Sequence, residues 1–420
     1  MQHLILISTF CFCSLLASAQ NVNLATMVDT FPFINHDNNH IKCCDTLAMN
    51  HFIAQLDNCV TTDTSLVSIV HIGDSHLQAD FFTSQVRNCF NYYFGVNNPS
   101  RGFMFPYAMA NTNNPFNYKV DWKGEWTASR ALNKKHDTLG LSAISVTTTD
   151  SVAVVNLKLL NLDTMFHYCG SQLQLYVDCS PKCYRHSVVY PNVIGMEIDS
   201  LSNCVTWYFE QPTDSVSLKI VKTSAQQSKF TIYGMALTNN KAIEYHTIGL
   251  NGATVATYLK CHNFERHLQS LAPNLVVVSL GTNDSYTTRF DSIAFEKQLT
   301  ILIERIRSAA NGASILLTTP NANKLQKNTF NYNVVAASRS IERIAEQQKC
   351  AVWNFNALMG NAENIDLWLS AQLLRQDCVH LTRKGYELQG NMFFRAIIAL
   401  YQRYVIQNYK LLNPEKSNCQ

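Results

Sequence analysis

The feature of the sequence that most restricts the fold is a series of short apolar segments, separated by helical patterns, after residue 245. NLVVVSL (274–280) has an uninterrupted apolar centre, as in a strand buried on both faces of a parallel sheet. ASILLTTP (313–320) repeats the pattern, and the segment between them reads as a helix that Asp291 caps. Alternating strands and helices predict a three-layer α/β/α sandwich around a parallel sheet.

A different pattern interrupts this domain. Segments such as SQLQLYVDCS and SVSLKIVKT alternate apolar and polar residues, and no long helical pattern separates them. We therefore expect a discontinuous α/β domain, formed by residues 65–100 and 245–410, with an all-β sandwich inserted over residues 101–244. Residues 20–64 are expected to form an N-terminal leader segment.

The first residues have the pattern of an export signal. An uncharged apolar stretch ends in Ala17-Ser18-Ala19, a small-x-small cleavage pattern. The stretch is shorter than the roughly 20 residues that a spanning helix needs, so a cleaved signal peptide over residues 1–19 is favoured over a retained anchor. The expected location is the periplasm or the exterior of a bacterium, with no integral membrane segment after cleavage.

Charge and composition exclude some classes of partner. The 420 residues carry a net charge of only +3, and no run of lysine or arginine is present. We therefore predict no nucleic-acid partner. The sequence leaves the oligomeric state open.

Cysteine usage fits an exported chain but leaves the pairing open. Twelve of the 14 cysteines remain once Cys11 and Cys13 are removed with the signal, and an even number permits disulfides. Cys179 and Cys183 are close enough in sequence to pair. A second group, in HDNNHIKCC, contains possible zinc ligands, but its spacing fits no closed four-ligand pattern. We predict no metal there, and the role of the group stays open; its members are His36, Asp37, His40, Cys43 and Cys44.

Three polar fragments lie where a parallel sheet places its functional groups, in loops beyond the carboxyl ends of strands. GDS (73–75) follows SIVHI, GTND (281–284) follows VVVSL, and DCVH (377–380) precedes a turn into the last helix. Each fragment alone is a weak signal. Their occurrence together predicts a single site.

The residue types in these fragments suit acyl transfer. A serine needs a base such as His380 to become a nucleophile, and Asp377 would hold the tautomer of that base. Ser75 at a helix N-terminus has backbone N–H groups beside it that can stabilise an oxyanion. Asn283 can add its amide, and Gly252 can bring a further backbone N–H close.

Each of these residues also has a structural interpretation. Ser75 could simply cap a helix, His380 could be a surface histidine, and Asn283 could be a turn residue. The combination favours the catalytic interpretation. For Asp74 and His76 we expect supporting roles instead of direct participation.

With these blocks in this order, the chain resembles the SGNH/GDSL hydrolase superfamily of serine esterases. The resemblance covers residues of about 65–95 and 245–405. It implies that Ser75 is the nucleophile, that His380 and Asp377 are base and orienting acid, and that Ser75, Gly252 and Asn283 form the oxyanion hole. It also implies that no cofactor or metal is needed.

A narrower resemblance is to bacterial peptidoglycan O-acetylesterases. It rests on the GDSHLQAD form of the first block, on YHTIGLNGA before Gly252, and on the β-rich insertion. It implies that the chain removes acetyl from the C6 hydroxyl of N-acetylmuramic acid, and that the insertion resembles a carbohydrate-binding module. Cys378 departs from the pattern, because a glycine is expected there.

Other functions remain open at this point. The same triad serves O-acetyltransferases, and other acetylated polysaccharides such as xylan or pectin are alternative substrates. A non-enzymatic alternative is a glycan-binding protein on a decayed esterase scaffold. In that case Trp122, Trp126 and Trp207 would be sugar platforms, although core packing is the more common role of tryptophan. The chain has no GxSxG segment, which argues against a standard α/β-hydrolase lipase.

Overall fold

The computed structural model describes residues 31–45, 47–62, 66–162, 165–180, 182–239, 242–360 and 364–412. The predicted signal peptide, residues 1–19, lies outside the described residues.

The described chain combines parallel and antiparallel strands with helices. The strands, in chain order, are β1 (Ile41–Cys43), β2 (Val67–Gly73), β3 (Gly102–Met104), β4 (Tyr118–Lys123), β5 (Thr127–Arg130), β6 (Ile144–Thr148), β7 (Val152–Leu159), β8 (Gly170–Val177), β9 (Arg185–Tyr190), β10 (Val193–Asp199), β11 (Cys204–Thr213), β12 (Ser215–Val221), β13 (Phe230–Thr238), β14 (Ile243–Gly249), β15 (Leu275–Ser279), β16 (Ser314–Thr318), β17 (Lys324–Leu325), β18 (Thr329–Phe330) and β19 (Ala351–Trp353). The α-helices are α1 (Asn50–Thr62), α2 (Ser75–Gln78), α3 (Phe81–Tyr93), α4 (Val255–Leu259), α5 (Phe264–Ser270), α6 (Thr282–Ser285), α7 (Ser292–Ala309), α8 (Tyr332–Gln347), α9 (Phe355–Met359), α10 (Ile365–Ser370) and α11 (Arg383–Leu412). Two short 3₁₀ helices cover His36–Asn38 and Tyr107–Ala110.

A six-stranded sheet with the order β1-β19-β16-β15-β2-β14 forms the middle layer of the α/β part. The five strands from β19 to β14 are parallel to their neighbours, whereas β1 is antiparallel to β19. Alternate residues of β2 face opposite sides: Ile69 packs with α1, α3 and α11, while Val70 packs with α7 and α8. Both faces are thus covered, and the prediction of a three-layer α/β/α sandwich is confirmed.

The antiparallel strands between β2 and β14 form two further sheets. One has the order β10-β11-β8-β13-β6-β5, with β3 also paired to β13, and the other has the order β4-β7-β12-β9. Their apolar faces share a core, to which Leu175 of the first sheet and Val155 of the second belong. This is the all-β sandwich that the alternating segments predict.

Buried polar groups join the sandwich to the α/β layers. Asp80, before α3, forms ion pairs with Arg87 of α3 (3.3 Å) and with Arg101 at the start of the insertion (2.8 Å). His246 of β14 accepts a hydrogen bond at Nδ1 from the N–H of Phe103 (3.1 Å). We call this the junction; it also contains Asn117 and Thr247, which donate to the Asp80 carboxylate, and His267, which accepts from Leu141 N–H.

The prediction of a separate leader over residues 20–64 is wrong for its described part. Ile41 lies opposite Trp353 as β1 extends the main sheet, and α1 buries Phe52 and Ile53 against that sheet. A three-residue strand is too short to show an alternating pattern, which explains the misreading.

The cysteine and metal questions have partial answers. Cys179 and Cys183 are both thiols in this structure, and their pairing stays a prediction. Within the ranges described above, no group of three or more His, Cys, Asp or Glu side chains is placed to hold a metal ion. None of the described helices is both long enough and apolar enough to cross a membrane.

Candidate active site

The order of three strands explains how distant residues meet. The parallel strands β14, β2 and β15 are neighbours, so their carboxyl ends lie at one edge of the sheet. Gly252 follows β14, Ser75 begins α2 directly after β2, and Asn283 lies in α6 after β15. All three line one cavity, together with Asp377 and His380 from the loop before α11.

Ser75, His380 and Asp377 form a continuous chain of hydrogen bonds. Ser75 Oγ is 2.9 Å from His380 Nε2, and His380 Nδ1 is 2.9 Å from Asp377 Oδ2. The other carboxylate oxygen of Asp377 accepts the N–H groups of Val379 and His380, each at 2.9 Å. Partial burial raises the pKa of Asp377, but these hydrogen bonds outweigh it, so the pKa of Asp377 is lowered and the side chain remains a carboxylate.

A tight loop presents the imidazole. Leu374 and Leu381 form a β-bridge, and Arg375 N–H donates to the carbonyl of His380 (2.8 Å). Inside the loop Cys378 has φ +56°, in the left-handed region that favours glycine. The loop therefore requires at this position the conformation that the expected glycine would adopt freely, and Cys378 adopts it with its side chain buried.

Backbone and amide donors face the same cavity. Gly252 has φ +77°, and no described residue accepts a hydrogen bond from its N–H or from that of Ser75. Asn283 Nδ2 donates to the carbonyl of Ala253 (2.9 Å) and, at 3.3 Å, to Asp74 Oδ2. Asn283 therefore lies at the site with its side-chain amide engaged by Ala253 and Asp74.

Comparison with known proteins bears on this arrangement. Residues 222–388 match the model of the GDSL-like Lipase/Acylhydrolase family, a span that contains Gly252, Asn283, Asp377 and His380 but not Ser75. The chain carries a GDSL-like lipase/acylhydrolase domain. Because acylhydrolases cleave carboxylic esters, the chain is a carboxylic ester hydrolase. No curated protein matches its sequence.

Solved structures extend the likeness beyond the GDSL-like domain. The chain is similar to a structure described as a peptidoglycan O-acetylesterase in action, with a TM-score of 0.69 and 18% identity, over 86% of this chain and 99% of that one. Matches to a lipase/acylhydrolase from Enterococcus faecalis (TM-score 0.31, 19% identity) and to an acetyl xylan esterase (TM-score 0.30, 22% identity) each cover 37% of this chain, and 76% and 81% of theirs. The first match covers 86% of this chain, more than the α/β part alone, so the likeness in fold extends into the insertion.

Two residues beside Ser75, Asp74 and His76, hold fixed positions at the site. Asp74 caps α2 by accepting the N–H of His76 (3.0 Å), and burial raises the pKa of Asp74 to about 7. The His76 ring lies against that of His380, with centroids 5.2 Å apart, and its Nδ1 is 2.8 Å from Tyr386 Oη. Burial, followed by the charge of the nearby His380, lowers the pKa of His76 to about 3. His76 is thus a neutral ring that packs beside the base.

The cavity at Ser75 and His380 has a volume of about 870 Å³ and includes residues that the sequence analysis did not select. The aromatic rings of Phe81 and Phe116 stack in its wall with centroids 4.8 Å apart. Lys327 and Arg375 also line it, and Asp377 is the only carboxylate among its lining residues. No local sequence pattern marks Phe116, since it lies in the Asn-rich loop of the insertion. Tyr386, in KGYELQG, could have been selected from the sequence, because it follows His380 by six residues.

A second cavity, of about 400 Å³, lies on the other side of the same aromatic wall. Phe81 and Phe116 line both cavities, and the guanidinium of Arg383 sits 5.8 Å and 5.2 Å from their ring centroids. Gln85, Asn88 and Tyr168 add polar groups to the second cavity. The α/β part and the insertion therefore both contribute to the two adjoining cavities. Together these cavities are larger than a single acetyl group requires.

The tryptophans considered as sugar platforms lie elsewhere in the insertion. Trp207 is buried in the sandwich core, whereas Trp122 is 40% exposed at the end of β4. Trp126 is partly buried against the core. None of the three lines either cavity.

Proposed function

We propose that the chain is a serine esterase that removes O-acetyl groups from a cell-wall glycan, with peptidoglycan acetylated at the C6 hydroxyl of N-acetylmuramic acid as its substrate. The observation that carries the proposal is the hydrogen-bonded chain Ser75–His380–Asp377, which opens into the larger cavity. The GDSL-like family match supports ester cleavage, and the likeness to a peptidoglycan O-acetylesterase supports the glycan.

The proposed reaction begins at the serine. Ser75 Oγ attacks the acetyl carbonyl while His380 Nε2 takes the hydroxyl proton, and Asp377 stabilises the imidazolium that forms. The carbonyl oxygen becomes an oxyanion that the N–H groups of Ser75 and Gly252 and the amide of Asn283 hold. His380 then gives its proton to the departing sugar oxygen, which leaves Ser75 acetylated.

Water completes the cycle. His380 takes a proton from a water molecule that attacks the acetyl-serine, and acetate leaves as Ser75 Oγ recovers its proton. The ring of His76 packs against His380 throughout, and its lowered pKa keeps it from competing for these protons. No metal or organic cofactor takes part in this scheme.

The charge of the cavity favours an acidic glycan. Lys327 and Arg375 line its wall, and the carboxylate of Asp377 is already satisfied by His380 and two backbone N–H groups. Peptidoglycan carries carboxylates on its stem peptides, whereas acetylated xylan is largely neutral. The Phe81–Phe116 wall provides apolar faces against which sugar rings can pack.

Acetate release from several polymers tests the proposal. We expect release from O-acetylated peptidoglycan to exceed release from acetylated xylan, pectin and sialoglycan, and Ser75→Ala to remove it by a factor of roughly 10⁴ or more. Unchanged release by Ser75→Ala would refute the catalytic assignment. A preference for xylan or pectin would refute the substrate alone. Cell-wall binding without any turnover by the wild type would favour the non-enzymatic alternative.

The proposed substrate lies outside the cytoplasm, in agreement with the export signal that the first 19 residues predict. Fractionation of cells that express the full-length chain, followed by determination of the N-terminal residue, tests this part. Cleavage after Ala19 is expected, and a full-length cytoplasmic chain would contradict it.

A further inference from the structure

Two cysteines, Cys44 and Cys350, lie one residue beyond the paired part of strands β1 and β19. Strands β1 and β19 pair antiparallel with Lys42 opposite Val352 and Cys43 opposite Ala351. One step further along this register places Cys44 opposite Cys350. Directly opposed residues of an antiparallel pair project to the same side of the sheet, with Cβ atoms about 4.5–5.5 Å apart.

A further contact joins the two chains just beyond the paired residues. Asp45 would lie opposite Lys349, and their side chains are an ion pair at 3.9 Å. The N–H of Cys350 donates to the carbonyl of Ala345 (2.8 Å) at the end of α8, so the chain passes from the helix through Cys350 directly into β19. The two chains therefore remain close to each other just beyond the last paired residues.

The packing of the cysteines separates Cys44 from its neighbour. Cys44 and Cys350 both pack in the core on one face of the main sheet, whereas Cys43 packs in the core on the opposite face. Burial raises the pKa of Cys350, and the nearby Cys44 adds to this increase. Cys43 is also a thiol but lies on the opposite side of the sheet from Cys350. A substitution of Cys43 is therefore a matched control for a substitution of Cys44.

We propose that Cys44 and Cys350 form a disulfide that joins the N-terminal edge strand to β19. Disulfides need Cβ atoms about 3.5–4.5 Å apart, so only a small adjustment of an opposed pair is required. The bond would secure β1, and with it the start of the segment that leads into α1. Both cysteines are thiols in the structure, which represents the reduced form.

A disulfide donor such as oxidised glutathione supplies the oxidant. Cys44, which is only partly buried, attacks a glutathione sulfur first, forming a mixed disulfide and releasing one reduced glutathione. The buried Cys350 then attacks the sulfur of Cys44 and releases the second reduced glutathione. The two protein thiols lose two protons and two electrons, and the donor accepts them.

Peptide mapping of the oxidised full chain tests the proposal. The purified protein is incubated with oxidised glutathione, its remaining thiols are alkylated, and the chain is digested at acidic pH before mass spectrometry. We expect the Cys350 peptide to be cross-linked to the peptide that contains Cys43 and Cys44, with a mass two hydrogens lower than the sum. Cys43→Ser should keep this link, and Cys44→Ser should leave Cys350 open to alkylation.

A thermal measurement provides a second readout. Reduction should lower the Tm of the oxidised wild type and of Cys43→Ser by the same amount, while Cys44→Ser should show a smaller change. Alkylation of Cys350 in the oxidised wild type would overturn the proposal. A link to Cys350 that survives in Cys44→Ser but disappears in Cys43→Ser would overturn it as well.

Discussion

The edge of the main sheet that carries Ser75, Asp377 and His380, which we call the rim, differs from the junction with the insertion in how it uses aspartate. At the rim an aspartate is open to solvent, and at the junction an aspartate is sealed inside the fold. At the rim, the side chains of His380 and Asp377 are 35% and 40% exposed, and His380 also bonds to Ser75 from a different loop. At the junction, Asp80 is fully buried and holds Arg87 and Arg101 on either side. The contrast teaches that access to solvent and substrate, more than residue identity, separates a reactive aspartate from a structural one.

The largest expected effect is a loss of rate at the rim without a loss of stability. Asp377→Asn keeps the size of the side chain but no longer fixes the His380 tautomer or stabilises its imidazolium, so kcat should fall by roughly 10⁴. Kinetics with 4-nitrophenyl acetate and urea denaturation measure the two quantities. If Asp377→Asn stays active, Asp377 does not belong to the proposed triad. If Asp377→Asn unfolds, Asp377 is needed for stability, as Asp80 is, and the two aspartates do not differ in role.

The reverse pattern is expected at Asp80. Asp80→Asn leaves two buried guanidinium groups without a carboxylate, which should cost about 3–5 kcal/mol of folding free energy. Burial raises the pKa of Asp80, but Arg101 and Arg87 outweigh it and lower the pKa to about 2, so the native group is charged at all ordinary pH values. Asparagine tolerates the φ of +60° at this position, which isolates the effect of charge. If urea denaturation shows wild-type stability, the ion pairs contribute nothing to the junction.

Acidification is expected to weaken the fold through buried neutral histidines. Burial lowers the pKa of four histidines to about 3; they are His71, His76, His246 and His267. Below about pH 6.5 these histidines bind protons in the unfolded chain but stay neutral in the fold. Burial raises the pKa values of Asp74 and Asp284 to about 7 and about 6, so the fold keeps two protons that the unfolded chain releases above about pH 4.

Between pH 4.5 and 6 the four histidines bind about four protons in the unfolded chain and none in the fold, whereas the two aspartates keep about two protons in the fold only. The unfolded chain therefore binds about two more protons than the fold. Stability should therefore fall by about 2.7 kcal/mol per pH unit as the pH falls, roughly 100-fold in the folding equilibrium. Urea denaturation across this range measures the slope. His246→Asn, which can still accept the Phe103 N–H, should reduce the slope by about one proton; stability that is constant or rises on acidification would contradict the account.

The smallest effect is expected at Phe116, which belongs to the insertion but lines the active-site cavity. Phe116→Ala should raise KM for the polymeric substrate by up to about tenfold, since a ring packed on an aromatic side chain contributes about 0.5–1.5 kcal/mol. The kcat/KM for 4-nitrophenyl acetate should stay at the wild-type value, because this small ester does not reach the aromatic wall. Val189→Ala, on an exposed part of the insertion outside both cavities, is the matched control. Equal losses on both substrates would mean that Phe116 supports the site only structurally.

The sequence predicts best where the pattern is local. NLVVVSL and ASILLTTP are strands of the main sheet, and Ser75, Asn283 and His380 drew attention because each lies next to a recognisable strand or helix. Phe116 reaches the cavity through long-range packing that no local pattern encodes. For the same reason β1 escaped notice, since a three-residue strand is defined by its partner β19 and not by its own periodicity.

Covalent labelling of Ser75 tests the central claim most directly. A serine-reactive fluorophosphonate, followed by peptide mass spectrometry, should place a single adduct on Ser75 in the wild type and none in His380→Ala, because the hydroxyl needs its base within hydrogen-bond reach. An active wild-type enzyme with its adduct on another serine, or equal labelling of Ser75 without His380, would contradict the account.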